Sequence, residues 1–361
     1  MTPDCTLIAR NAAETVAVTP YLLGFHPSES VVVVGLAGGH VMFGARFDLP
    51  TDGFPGVLEI VALIARQRVP TVAVLGYGPE ERVMPVAVVL GTELRFAGLQ
   101  ILDVIRVTGG RWWSFYCRDP ECCPPEGNPC RPEDSVAAAE AVYQGRVALP
   151  DRQALVARVA AVEGAARDEM TAATERVRER FGDALDQPGQ WIALAGRRAI
   201  RDAERRAESG RPVTPDQVAR LGVLLSIDEV LDYALERPGV EEWRLQLWID
   251  VLRRVEPAYV PAPACLTSYV AWRLGDGPLA RVAIDRALRV DPRHRMAGVL
   301  DRVLSAGVGP ASLITLRPPG SPDRRRRTTR PNARKWLGAT TRRRADRPSQ
   351  DATSEGREPG A

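Results

Sequence analysis

Lysine is all but missing from this chain: Lys335 is the only one among 48 basic residues. Histidine is scarce too, at His26, His40 and His294 alone, which excludes a histidine-rich metal site. No G-x-G-x-x-G and no Gly-Lys-Ser/Thr phosphate loop occurs, so neither common nucleotide fingerprint is present. No apolar stretch approaches the roughly 20 residues that span a bilayer, and Val31–Ala37 is only strand-sized. The opening Met1-Thr-Pro-Asp-Cys-Thr6 lacks the basic region and apolar run of a secretory leader. Together these absences predict a cytoplasmic protein with no membrane partner.

The 361 residues, 45% hydrophobic and 26% charged, leave room for two cores. Arginine in place of lysine, beside abundant Ala, Gly and Pro, reads as the coding bias of a GC-rich genome. Charge is unevenly spread. Residues 317–361 carry 13 basic and 5 acidic side chains, which leaves 35 basic against 40 acidic in residues 1–316. The mildly acidic body argues against a basic nucleic-acid groove within it. The arginine-rich tail predicts a disordered extension whose only nucleic-acid role would be nonspecific, salt-sensitive phosphate contact.

Strand and helix signals alternate through the first 148 residues. Cys5–Ala9 has a short strand pattern, and Asn11-Ala-Ala-Glu14 fits a capping box opening a helix that ends at Gly24, with Pro20 predicting a kink or early stop. Val31–Leu36 is a continuous β-branched run, as in a strand covered on both faces. Val41–Asp48 alternates and makes a hairpin with it around Gly38-Gly39. Helical patterns over Gly56–Gln67 and Glu80–Phe96 alternate with strands at Thr71–Tyr77 and Leu99–Val107. Gly109-Gly110 then turns the chain into a strand over Arg111–Cys117. From Pro150 onward only helix signals recur, including capping boxes at Thr214–Gln217 and Ser226–Glu229 and an apolar face over Glu241–Val255. The predicted architecture is an α/β domain with a mixed sheet (1–148), an all-α helical domain (149–316) and a disordered basic tail (317–361).

Four of the six cysteines, Cys117, Cys122, Cys123 and Cys130, fall within 14 residues. Four thiolates so close suit a structural zinc ion, but the C-x4-C-C-x6-C spacing is not that of paired-CxxC ribbons. Inert structural thiols and redox chemistry at the adjacent pair stand beside the metal reading. His26 sits at a helix-to-strand junction, where it is either a general base or a structural hydrogen bonder. His40 falls at the hairpin turn and His294 at a helix start with an exposed setting. Arg111, Trp112 and Trp113 open a strand, so one indole enters the core and the other is a candidate binding surface or a packing group. Gly76-Tyr-Gly78 follows a strand, where backbone amides can approach an anion or simply turn. Asp48 and Asp103 give no spacing that identifies acid–base chemistry.

Pro20-Tyr-Leu-Leu-Gly-Phe-His-Pro-Ser-Glu-Ser-Val-Val-Val-Val-Gly35 and Arg111-Trp-Trp-Ser-Phe-Tyr-Cys-Arg-Asp-Pro-Glu-Cys-Cys-Pro-Pro-Glu-Gly127 resemble the actinobacterial domain of unknown function 4192. The resemblance runs to about Leu304; it implies an actinobacterial, cytoplasmic protein and brings no activity with it. Ala271-Trp-Arg-Leu-Gly275, Ala280, Ala287-Leu288 and Asp291-Pro292 are similar to one tetratricopeptide helix pair. The expected function is ligand or partner binding, with regulation as its purpose and a protein partner on the helical half. The rival is an enzyme whose pocket lies at the sheet edge near His26, Gly76 and the cysteines.

Overall fold

Val31, Val32, Val33 and Val34 are all fully buried, and successive side chains enter opposite apolar clusters. A strand covered on both faces needs such an uninterrupted run. The computed structural model describes residues 7–50, 56–131, 134–182, 190–237 and 239–310. The proposed tail, 317–361, lies outside them. These valines belong to β1 (Ser30–Ala37), which pairs antiparallel with both β2 (His40–Asp48) and β3 (Thr71–Tyr77). β3 pairs parallel with β4 (Gln100–Thr108). β5 (Arg111–Ser114) and β6 (Asn128–Pro129) close the order β2-β1-β3-β4-β5-β6 in antiparallel fashion. The sheet is mixed, as the alternating signals predicted.

A parallel pair needs a crossover, and here it is α3 (Glu80–Phe96), which runs through Pro85 without a break. With α2 (Val57–Ala65) it covers one face, where Ile64, Val83, Leu90 and Leu94 pack on Val31, Val33, Val72 and Val74. The other face carries Val32, Val34, Leu75 and Ile105 under α1 (Ala12–Leu23) and α4 (Val136–Tyr143). That apolar cluster continues without interruption into the helical half as far as Leu300. Pro20 does not stop α1, which continues to Leu23 before Gly24 turns it at φ +74°. Asn11 caps the helix through the Glu14 amide, while the Glu14 carboxylate accepts from the Arg10 amide. Of the expected first strand, Leu7–Ala9 is described, and Ile8 makes a single bridge to His40.

The helical half comprises α5 (Arg152–Ala157), α6 (Ala165–Phe181), α7 (Gln190–Glu208), α8 (Pro215–Leu225) and α9 (Asp228–Leu235). It continues with α10 (Glu242–Arg254), α11 (Pro261–Arg273), α12 (Gly277–Val290) and α13 (Arg295–Ser305). The Thr214–Gln217 capping box forms in full. The Ser226–Glu229 box does not. Ser226 ends α8 with its hydroxyl on the Val223 carbonyl, and Ile227 takes the capping position of α9, because the turn between these helices is one residue too short for both. The residues resembling a tetratricopeptide pair form the α11–α12 hairpin, with Leu274-Gly275 in the turn and Pro292 just past α12. Among the described residues no helix is long and apolar enough to cross a membrane.

One buried ion cluster clamps these helices. Glu204 of α7, 4% exposed, receives Arg237 on one carboxylate oxygen and Arg244 of α10 on the other. Removing one partner of a buried pair leaves an uncompensated charge and costs about 3–5 kcal/mol. Glu204→Ala is therefore expected to lower the urea midpoint by an amount equivalent to about 3 kcal/mol, with the m-value unchanged. An unchanged midpoint would mean the cluster is solvated after all.

Candidate functional site

The C-terminal ends of β3 and β4 lie side by side because the two strands are parallel. Open α/β sheets bind ligands beyond this end of their strands. A cleft of about 920 Å³ opens here, within the roughly 300–1,000 Å³ range of small-molecule sites. Tyr77 and Trp112, both buried, line it together with Val107 of β4. Ala13, Glu14 and Ala17 of α1 form one wall, and His26–Glu29, leading into β1, form a second. Cys130, Arg131 and Asp134, before α4, form the third. The second wall is anchored from the helical half: the His26 amide donates to the Leu149 carbonyl and the Leu149 amide to Gly24, at 2.9 and 2.8 Å.

The electrostatics of the lining nearly cancel. Each lining carboxylate has an arginine: Glu14 with Arg10, Glu29 with Arg82 and Asp134 with Arg131. Among the described residues the His26 ring, though exposed in the cleft, makes no hydrogen bond or ion pair. The Tyr77 hydroxyl is buried without a hydrogen-bond partner among them. Burial pushes its pKa well above the phenol range, opposed by the Thr19 hydroxyl, which donates to the Thr15 carbonyl, and reinforced by Cys130.

The cysteines divide. The sulfurs of Cys117, Cys122 and Cys123 lie within 4.8 Å of one another, and Cys122 and Cys123 are 4.0 Å apart. Cys130 is not within this group; its amide is held by the Gly110 carbonyl beside β6, which places it on the cleft wall. Of the four cysteines close in sequence, three sulfurs converge and the fourth stands apart. The Cys117 thiol is held below its usual pKa, chiefly by the neighbouring Asp119 backbone. The neighbouring Cys117 raises that of Cys122, while burial, with both other cysteines adding, pushes Cys123 up to about 12.

Arg111, Trp112 and Trp113 are not an open docking patch. Trp112 faces the core and the cleft, and strand alternation sends Trp113 to the opposite side. There its ring lies under the Arg106 guanidinium at 3.9 Å, with its Nε1 donating to the Pro125 carbonyl at 3.0 Å. Arg111 donates to the Gly127 carbonyl at 2.7 Å. Both side chains therefore brace the loop that carries the cysteines. Gly76 is a packing position under Val83, whereas Gly78 lines the cleft. Asp103, raised by burial, accepts from Ser114 on the sheet and is not in the lining of this cleft. His40 starts β2, and His294, half-buried, caps α13 through its Nδ1. Sequence reasoning singled out Gly76-Tyr-Gly78 for its backbone and not for the Tyr77 ring, and it missed Glu29 and Asp134; the Gly109-Gly110 turn, which forms the rim between β4 and β5, was the available signal.

The model of a domain of unknown function, DUF4192, matches residues 13–311. The chain belongs to this family. No curated protein and no solved structure matches it. In this family member the two motifs, 20–35 and 111–127, supply a cleft wall and the cysteine loop.

Gly127 holds the loop's end at φ +80°, and any side chain on it would overlap the Trp113 indole. A non-glycine residue in that backbone region costs about 1–3 kcal/mol. Gly127→Ala is expected to speed amide exchange across 115–128 while leaving α6–α13 unchanged. Unaltered exchange in the loop would show that the Trp113 clamp does not hold it.

Proposed function

We propose that this chain binds a small organic ligand, uncharged or zwitterionic, in the cleft beyond β3 and β4. The observation that carries the reading is the cleft itself: drug-sized, placed at the parallel strand ends, and floored by Tyr77 and Trp112. Aromatic floors suit an apolar or aromatic body. The three carboxylate–arginine pairs leave little net charge to attract a strongly ionic ligand. A cytoplasmic setting accompanies the proposal, supported by five described cysteines that are all free.

Acid–base catalysis in the same cleft is the second reading. It is favoured by His26, whose unpartnered ring shares the cavity with Glu14, Glu29 and Asp134. No hydrogen bond among the described residues orients that ring, so binding ranks above turnover.

Ala13 is exposed and lines the cleft, so Ala13→Trp fills the space without disturbing the core. Native mass spectrometry of the full chain after incubation with a small-molecule cell extract is expected to detect a retained adduct. The same adduct should be absent from Ala13→Trp. At a free concentration of about 100 Kd such a ligand stabilises by about 2.7 kcal/mol, so a thermal shift should accompany it. An adduct held equally by both proteins, or by neither, contradicts the proposal. Under the second reading, His26→Gln keeps the adduct but stops its conversion.

A further inference from the structure

The loop between β5 and β6 has almost no core of its own. From Phe115 to Gly127 the only buried residue is Gly127. Yet the segment follows a defined path. The Ser114 hydroxyl accepts from the Tyr116 and Cys117 amides at 3.1 and 3.0 Å while donating to Asp103 at 2.6 Å. The Cys123 amide reaches back to the Asp119 carbonyl at 2.7 Å, and Asn128 donates to the Cys122 carbonyl at 3.1 Å. Small irregular segments that bury little apolar surface commonly take their stability from a cross-link. Three sulfurs converge where such a cross-link would sit.

We propose that Cys117, Cys122 and Cys123 bind one zinc ion through three thiolates, with the fourth tetrahedral position open at the surface. Zn–S bonds of about 2.3 Å in a tetrahedron set the sulfurs about 3.8 Å apart. The Cys122–Cys123 separation is 4.0 Å and the widest is within 4.8 Å, so the loop need close by only about 1 Å. Cys122 is exposed, so the ion is reachable from solvent and its fourth ligand is exchangeable. The site does not depend on the cleft reading, although the loop's far end, Pro129–Arg131, is one of the cleft walls.

The test uses the full untagged chain, purified under phosphine reductant without chelator, stripped of metal and titrated with Zn2+ against a chromogenic chelator. One equivalent is expected to bind. Cys117→Ser, Cys122→Ser and Cys123→Ser should each weaken it by more than about 100-fold, beyond the usual outer-shell loss. Cys130→Ser should leave the affinity unchanged. Cobalt(II) titration of the unsubstituted protein, which needs no variant to fold, should give a thiolate-to-cobalt charge-transfer band. Uptake below about a tenth of an equivalent overturns the proposal, as does absence of that band. So does a loss in Cys130→Ser equal to that in Cys122→Ser. A disulfide among the three cysteines, persisting in the reduced chain, likewise replaces the metal with a redox role.

Discussion

The parallel pairing of β3 with β4 is the constraint on which the cleft of this molecule depends. It is the one parallel pair in the described sheet, and it forces the α3 crossover onto a single face. Two strand ends are thereby left side by side with no hairpin joining them, and the Gly109-Gly110 turn from β4 into β5 forms the rim. Because β1 runs antiparallel to β3, its entry segment, His26–Glu29, arrives at the same end. The α1 helix and the segment before α4 then supply the remaining walls. A fully antiparallel order would have closed this end with tight turns.

The helical half is not merely appended. One apolar cluster runs from Val32 and Leu75 on the sheet to Leu279 and Leu300 in the last helices. Polar ties reinforce it: Leu149 clasps the chain on either side of Phe25, and Gln67, after α2, donates to the Gly307 carbonyl beyond α13. Such a continuous core gives the cleft wall at His26 a rigid backing, which a binding site needs to hold its geometry.

Local physics was legible in the sequence wherever one residue pattern had one solution. Val31–Leu36 could only be a doubly covered strand, and Glu80–Phe96 was found as α3 with its ends correct despite Pro85. The adjacent tryptophans separated onto opposite faces as alternation requires. What was not legible depended on contacts remote in sequence. Periodicity does not say which strands are parallel, so the cleft, assembled from residues near 13, 27, 77, 108 and 131, had no contiguous signature. His26 does line a cleft, but at the ends of the central strands and not at the sheet edge; Gly76 is a packing glycine and the cysteine in the lining is Cys130. Spacing alone could not separate Cys130 from the other three, since only the β5–β6 pairing carries it away.

The proposed ligand enters the strand-end cleft and not the hollow of about 420 Å³ beside Phe181 and Trp191. Hydrogen–deuterium exchange of the full chain, with and without a small-molecule cell extract, decides this most directly. Slowed exchange at 26–30, 107–110 and 129–136 together, with none at 178–182 or 191–198, is the predicted result. Protection confined to the Trp191 region, or absent from the three cleft walls, would contradict it.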